Sequence, residues 1–298
     1  MREVIDALRP APGDVVIDAT LGDGGHALEL LRRIAPGGRL IGLDVDSTAL
    51  ELAGLRLAAV SPDFSLHRSN FAGLPNVLRD EQLNGCDVIF ADLGASSMQL
   101  DDPARGFSFK HDGPLDMRMD ARTTRTAADV LATLPAGDLS AALLELADEP
   151  DHQRIAERIV QQQRVRPMTR TAELVRLVLA AKGLTQRMLK DIRARGEPHP
   201  AARVFQALRI LVNDELAVLD QLLRIAPFCL RPGGRIGVIS FHSGEDRRVK
   251  HAFREGVRSG DYAAISDEVI RPTPDEIRAN PRSASAKFRW ARRGPSTA

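Results

Sequence analysis

Short apolar runs alternate with helical patterns through the first hundred residues of this chain. Four runs have the length and composition of buried strands, at residues 15–17, 39–43, 65–67 and 87–91. Residues 27–34 and 48–59, which lie between them, have helical spacing, and Pro36-Gly37-Gly38 ends the first of these helices. Strands that alternate with helices predict an α/β fold, a doubly wound, Rossmann-like parallel sheet.

The alternation gives way to helical periodicity between about residue 126 and residue 225. Apolar residues there recur at intervals of three or four, as at Leu139, Leu143 and Leu146. Strand character returns at residues 234–240, after a turn at 231–234, and again at 286–291. We therefore predict a discontinuous sheet domain, residues 1–102 and 210–298, interrupted by a helical insertion domain at residues 103–209.

The composition is that of a globular protein, with 43% hydrophobic and 27% charged residues. Its two cysteines, Cys86 and Cys229, form neither a disulfide framework nor a metal-ligand spacing, so a reducing compartment and no metal site are expected. Residues 1–20 lack a signal-peptide pattern, and no apolar stretch has the length of a membrane span. These features predict a cytoplasmic protein without a membrane partner.

Positive charge is concentrated in one segment. The whole chain has a net charge of +1, but residues 154–209 contain thirteen Lys or Arg against four Asp or Glu. Such asymmetry is typical of a nucleic-acid surface and also of a solvated helical face, and charge alone does not decide between them.

A glycine-rich loop at residues 18–26 joins the first predicted strand to the first predicted helix. Glycine lets the backbone approach a ligand, and the helix N-terminus adds free N–H groups. Asp44 ends the next strand, where an acid can bind ribose hydroxyls. NAD and S-adenosylmethionine (SAM) both fit this pattern. Asp18 and Asp23 would repel a pyrophosphate but favour the cationic methionine part of SAM, so SAM is the predicted cofactor.

Residues 92–102 place an acid, small hydroxyl residues and an amide after the fourth strand, where open α/β sheets bind ligands. This segment resembles the bacterial 16S ribosomal RNA (cytosine-N4)-methyltransferase family, called RsmH or MraW. Further matching motifs follow in the family's order at residues 22–26, 105–109, 112–120, 167–171, 199–201, 205–210, 240–243, 245–247 and 280–283. The resemblance covers nearly the whole chain. Ala202, Val204 and Gly244 differ from the residues usual in the family, and the family's His-x-Pro-Val-Leu-Leu stretch is not found before Glu3.

The resemblance implies a SAM-dependent enzyme that methylates the exocyclic amine of a decoding-region cytosine in 16S rRNA. Its partner would be that RNA or the small ribosomal subunit. The SAM contacts implied by the family fall on Gly24, Gly25, His26, Asp44, Phe71, Asp92 and Gln99. For Phe71, packing against adenine and an ordinary core position are both open.

Methylation of an amine needs no covalent intermediate, unlike methylation of cytosine C5, which needs a cysteine nucleophile. It needs alignment of the methyl group with N4 and an acceptor for the amine. Our hypothesis assigns the catalytic carboxylate to Asp92, and the alternative makes Asp92 a SAM ligand without proton transfer. Arg118, His242 and Ser243 are substrate candidates, with a structural role for His242 equally open.

Two sets of basic residues are candidates for contacts with phosphate. One consists of Arg154, Arg158, Arg164, Arg166 and Arg170, and the other of Arg282, Lys287, Arg289, Arg292 and Arg293 with Trp290 as a stacking ring. Two other functions stay open: a DNA amino-methyltransferase, and a catalytically silent SAM-binding protein of ribosome assembly. The first is disfavoured because residues 92–95 replace the Asn/Asp-Pro-Pro-aromatic motif of many amine methyltransferases.

Overall fold

Within residues 1–295, which a computed structural model describes, seven strands form one sheet. The strands are β1 (Val15–Asp18), β2 (Arg39–Asp44), β3 (Phe64–Arg68), β4 (Cys86–Asp92), β5 (Leu230–Ser240), β6 (Tyr262–Ile265) and β7 (Lys287–Arg293). Their order is β3-β2-β1-β4-β5-β7-β6. Strands β1 to β5 are parallel, and β7 runs antiparallel to β5 and β6. The predicted α/β, Rossmann-like sheet is confirmed.

The helices divide into those around the sheet and those of the long insertion. They are α1 (Arg2–Leu8), α2 (Gly25–Ile34), α3 (Ser47–Ala58), α4 (Leu74–Asp80), α5 (Ser97–Asp101), α6 (Ala127–Thr133), α7 (Ala136–Ala147), α8 (His152–Val165), α9 (Thr171–Ala181), α10 (Gln186–Ala194), α11 (Ala202–Asn213), α12 (Glu215–Cys229), α13 (Ser243–Ser259) and α14 (Pro274–Ala279). Short 3-10 helices lie at Phe71–Gly73, Pro103–Arg105 and Pro281–Ser285. None of the helices in residues 1–295 combines the length and the apolar composition of a membrane span.

The chain forms two compact units. The sheet unit consists of Met1–Gly94 and the chain from Leu216 onward, and the helical unit is Ala95–Glu215. The helical unit contains the predicted insertion, residues 103–209, whose role in RNA recognition stays a prediction. Its own core includes Leu139, Leu143 and Phe205.

Burial on both faces explains why the central strands are continuous apolar runs. Every residue of β1 is buried, and so are the middle residues of β2 and β4. One face carries a core with Leu219 of α12 and Phe253 of α13, and the other a core with Leu8 of α1, Leu30 of α2 and Leu57 of α3. Packed side chains therefore cover both faces of the central strands.

Three features of the sheet unit differ from the sequence prediction. Helix α1 and strand β6 are not predicted, because each is short and β6 has only one fully buried residue, Tyr262. The predicted turn at 231–234 lies inside β5 as an irregularity. There the pairing moves from Cys86–Leu230 directly to Val88–Arg235, and Gly233 adopts a left-handed φ of 80°.

Candidate functional site

The loop after β1 begins with a fully buried carboxylate, Asp18. Its Oδ1 accepts a hydrogen bond from the Thr20 backbone N–H at 3.1 Å. Among the described residues its Oδ2 is buried without a hydrogen-bond partner. Burial, followed by the charges of Asp92 and Asp44, raises the pKa of Asp18 to about 7. Asp18 therefore has an unused acceptor and a proton that is easily lost near neutral pH.

Glycines let this loop turn tightly into α2. Gly22 and Gly24 have φ values of 52° and 80°, in the left-handed region that glycine occupies without strain. A Cβ atom on Gly24 would lie 3.1 Å from the Cβ of Ala53 on α3. Gly25 begins α2. The backbone N–H groups of the first turn of a helix have no acceptor within that helix, so they are available to other groups.

Asp44 holds the glycine loop against the end of β2. Its Oδ2 accepts from the Gly22 N–H at 2.9 Å, and its Oδ1 accepts from the Asp46 N–H at 2.9 Å. Burial raises the pKa of Asp44. A carboxylate oxygen can accept more than one hydrogen bond, so Asp44 retains capacity for the ribose hydroxyls that the sequence predicts there.

Asp92 ends β4 beside His26. Its backbone N–H donates to Thr20 Oγ1 at 2.6 Å, and its Oδ1 is buried without a hydrogen-bond partner among residues 1–295. Burial, and next the charge of Glu245, raises the pKa of Asp92 to about 7, whereas burial lowers the pKa of His26 to about 4. His26 is therefore neutral at pH 7. Its Nδ1, 3.6 Å from Asp92 Oδ2, makes neither an ion pair nor a hydrogen bond.

His242 and Ser243 follow β5 at the start of α13. His242 Nδ1 accepts from the Glu245 N–H at 3.4 Å, and Glu245 Oε2 accepts from the Phe241 N–H at 2.8 Å, so the helix has a reciprocal N-terminal cap. His242 Nε2 lies 3.1 Å from Glu245 Oε1 but is not directed for a hydrogen bond, and among the described residues it is buried without one. The ring thus has a structural role and one polar atom left over. Ser243 is exposed.

The topology brings most of the predicted residues to one edge of the sheet unit. Strands β2, β1, β4 and β5 are neighbours and parallel, so Asp44, Asp18, Asp92 and the His242 segment lie at adjacent carboxyl ends. Phe71 follows β3 and is half-buried against the core, which leaves both of its predicted roles open.

Gln99 and Arg118 belong to the helical unit. Gln99 forms a capping box with Ser96, in which Gln99 Oε1 accepts from the Ser96 N–H at 3.0 Å. Arg118 makes a bidentate pair with Asp116 and donates to the Thr123 carbonyl at 2.8 Å. Binding of SAM by Gln99 and of substrate by Arg118 stay predictions. The Arg118 guanidinium has five N–H donors, and these bonds use three of them, so donors remain for a substrate.

Sequence reasoning missed two residues that build the site. Thr20 fixes the backbone of Asp92 through its hydroxyl, and Glu245 holds the His242 segment. The role of Glu245 could have been predicted, because a Glu three residues after an N-cap residue is the signature of a capping box. The role of Thr20 has no local sequence signal, since Thr20 and Asp92 are 72 positions apart.

Comparison with known proteins identifies the group to which this chain is related. A sequence model of the MraW methylase family matches residues 1–294. The chain belongs to the MraW methylase family. "Ribosomal RNA small subunit methyltransferase H" of Trichlorobacter lovleyi is 42% identical over 97% of this chain and 95% of its own length. The protein of the same name from Acidothermus cellulolyticus is 43% identical over 97% and 90%, respectively.

Two solved structures superpose on this member of the MraW methylase family at low sequence identity. An rRNA methylase from Streptococcus thermophilus superposes with a TM-score of 0.41 at 9% identity, covering 96% of this chain and 91% of its own. A SAM-dependent O-methyltransferase from Thermotoga maritima gives 0.41 at 9% identity, covering 100% and 65%. Family membership confirms the predicted SAM-dependent methyltransferase.

The sheet edge of this MraW family member fits SAM chemically. A cationic ligand can satisfy the oxygens Asp18 Oδ2 and Asp92 Oδ1, which have no hydrogen-bond partner among the described residues and lie beside the glycine-rich loop. Asp44 is positioned for the ribose.

The affinity for SAM should rise between pH 6 and pH 8. Asp18 and Asp92 have pKa values of about 7, so each binds a sulfonium cation more tightly as it loses its proton through this range. The gain is limited to about tenfold per pH unit for each group. Isothermal titration at pH 6, 7 and 8 measures it, with neutral S-adenosylhomocysteine as the matched ligand. Equal pH dependence for both ligands would contradict the assignment.

Proposed function

We propose that this chain uses SAM to methylate the N4 amine of a decoding-region cytosine in 16S ribosomal RNA, the family position C1402. The coarser activity, methylation of small-subunit rRNA, rests on relatives that carry that name and align over nearly their full length at about 42% identity. The choice of cytosine N4 rests on the family resemblance and on the chemistry of the site.

The observation that carries the proposal is the unpartnered, buried Oδ1 of Asp92 at the carboxyl end of β4. An exocyclic amine has N–H donors that such an oxygen can accept. When bound, SAM supplies an electrophilic methyl group. Asp92 Oδ1 orients the amine through a hydrogen bond and takes up its proton, and a pKa of about 7 suits both duties near neutral pH.

The cysteines support amine methylation over attack at ring carbon C5. Cys86 lies at the opposite, amino end of β4 and is fully buried, and Cys229 lies just before β5. Burial raises the pKa of Cys86 well above that of a free thiol and that of Cys229 to about 11. Neither thiol is a thiolate at neutral pH, so neither serves as the nucleophile that C5 chemistry requires.

Exposed arginines of the helical unit are suited to backbone phosphates. Of the five arginines predicted there, Arg154, Arg166 and Arg170 pair with Asp151, Glu173 and Asp112. Arg158 and Arg164, both on α8, are exposed, and no carboxylate of residues 1–295 forms an ion pair with either. These two arginines are therefore the best candidates of the set, and RNA recognition by the helical unit is part of this proposal.

Nucleoside analysis by mass spectrometry tests the proposal. The protein is incubated with SAM and with unmethylated small-subunit RNA, either naked or assembled into subunits, and with a DNA duplex as the alternative substrate. We expect N4-methylcytidine at one position of the RNA and no product from the duplex. Methylated DNA would favour the amino-methyltransferase alternative, and SAM binding without any product would favour the silent assembly protein.

A further inference from the structure

A second positively charged site lies in the sheet unit, away from the carboxyl ends of the strands. A surface cleft of about 490 Å³ is lined by Arg9 at the end of α1, Arg235 of β5, and Trp290 and Arg292 of β7. We call it the arginine cleft. Two acids, Glu3 and Asp6, also line it. The three arginines come from three different elements, so the fold itself brings them together.

The protein offsets the charge of these three arginines only in part, and the acid that acts on Arg235 is Asp14. Within residues 1–295 no carboxylate lies within ion-pair distance of any of the three, and Arg235 donates only to the Leu8 carbonyl, at 3.2 Å. The two acids in the lining have partners of their own: Glu3 is 3.6 Å from the N-terminal amine and Asp6 is 3.7 Å from Arg2. Burial and the charges of Arg9 and Arg292 lower the pKa of Arg235. With three arginines against two acids in its lining, the cleft has one positive charge in excess.

The arrangement of the strands makes this charge costly. Arg235 and Arg292 are directly opposite one another in the antiparallel pair of β5 and β7. Like charges at directly opposite positions destabilise a sheet, in contrast to opposite charges, which contribute about 0.2–1 kcal/mol. Packing gives no reason for two arginines at these positions, whereas an anionic ligand between them does.

The arginine cleft is separate from the SAM edge. Arg235 is level with Val88 of β4, while Ile239 is level with Asp92. Four residues of strand correspond to about 13 Å. An anion bound among the arginines is therefore not the methionine or ribose part of a ligand held at Asp18 and Asp92.

Trp290 indicates the type of anion. It is half-exposed in the same cleft, two residues before Arg292 on β7 and so on the same face of the sheet. An indole next to a group of arginines is the combination with which proteins bind single-stranded nucleic acid, through phosphate contacts and a stacked base. A free phosphate ion would use the arginines but not the ring.

We propose that the arginine cleft is a second RNA-binding site, which binds backbone phosphates of the ribosomal RNA through Arg9, Arg235 and Arg292 and stacks a base on Trp290. The inference rests on the proposed function in taking ribosomal RNA as the ligand. The bound segment is distinct from the target cytosine, and it adds affinity and orientation without reading sequence through the phosphates.

Tryptophan fluorescence gives a direct test, because Trp290 is the chain's only tryptophan. The full-length protein is titrated with a small-subunit RNA fragment between 50 and 300 mM salt, conditions in which phosphate contacts determine the slope of affinity against salt. We expect RNA to quench Trp290. The variant Arg9→Gln/Arg292→Gln should bind about tenfold more weakly, with a log–log slope smaller by about 1.4 for two lost contacts with a single strand.

The matched control is Arg32→Gln/Arg254→Gln, which removes the same charge from exposed positions outside the cleft. SAM titration confirms that both variants are folded. If Arg9→Gln/Arg292→Gln binds RNA with the same affinity and salt slope as the control variant, the proposal is overturned. It is also overturned if inorganic phosphate gives a saturable change in Trp290 fluorescence while the RNA affinity of Arg9→Gln/Arg292→Gln equals that of the control. Failure of the proposed function is distinguishable, because it shows as absent N4-methylcytidine with the unaltered protein, whatever the binding data.

Discussion

Replacing Asp92 with asparagine should lower kcat for methyl transfer at least a hundredfold while the sheet unit stays folded. The substitution keeps the shape of the side chain but removes its charge and its ability to take a proton. General-base catalysis contributes about 10²–10⁴-fold in enzymes, and a carboxylate that orients the acceptor adds to this. Asp92 Oδ1 is buried without a hydrogen-bond partner among the described residues, so its acceptor capacity is available to the amine.

Single-turnover kinetics with small-subunit RNA, together with SAM titration, separate the two hypotheses for Asp92. A proton acceptor shows mainly as a loss in kcat, whereas a pure SAM ligand shows as a weaker Kd for SAM with a smaller change in kcat at saturation. Asp87→Asn is the matched control, because Asp87 lies on the same strand at its other end and pairs with Arg231 at 2.7 Å. Near-normal turnover by Asp92→Asn would exclude both roles.

The strands around the site could be predicted because their signal is local. The run at residues 15–17 and the run at 87–91 are apolar on both faces, and the structure extends each by one residue or two, to Val15–Asp18 and Cys86–Asp92. The edge strand β6 gave no such signal, since three of its four residues are not fully buried. Its pairing with β7 depends on residues far along the chain.

The acids of the site were predictable and their properties were not. Asp44 and Asp92 stand out as the polar residues that end apolar runs, a pattern that the sequence contains in full. Their raised pKa values come first from burial and then from the charge of Asp46 for Asp44 and of Glu245 for Asp92, so they depend on how β2, β4 and α13 are assembled. The same limit applies to the basic segments. In the sequence, each arginine of these segments is a candidate for phosphate contact. In the structure, Arg166 pairs with Glu173, Arg170 with Asp112, and Arg289 with Asp246.

The arginine cleft illustrates the limit most directly. Arg292 and Trp290 were among the predicted basic residues with a stacking ring, but Arg9 and Arg235 are distant from them in sequence and came from no motif. Only the antiparallel pairing of β5 with β7 places Arg235 opposite Arg292. Sites formed by long-range pairing of strands have no periodicity of their own, so a sequence pattern does not contain them.

The second large effect is expected at Glu245, which is 2% exposed and holds the start of α13. Glu245→Ala should lower the free energy of unfolding by about 3 kcal/mol, because the Phe241 and His242 N–H groups lose their shared acceptor and each unsatisfied buried donor costs about 1–3 kcal/mol. Glu245→Gln keeps an acceptor oxygen at the cap and should retain most of this stability.

The same pair of variants tests the electrostatics of the site. The charge of Glu245 contributes to the raised pKa of Asp92, after burial. Removing that charge in Glu245→Gln lowers the pKa of Asp92, so the ionised carboxylate is present at lower pH and the acid limb of the kcat/KM profile should move to lower pH. Urea unfolding and pH–rate profiles measure the two effects, with the exposed Glu255→Ala on α13 as the control, expected to change stability by less than about 0.5 kcal/mol. If the acid limb stays in place in Glu245→Gln, the Glu245 carboxylate does not influence the pKa of Asp92. If the urea midpoint is unchanged in Glu245→Ala, Glu245 does not stabilise the start of α13.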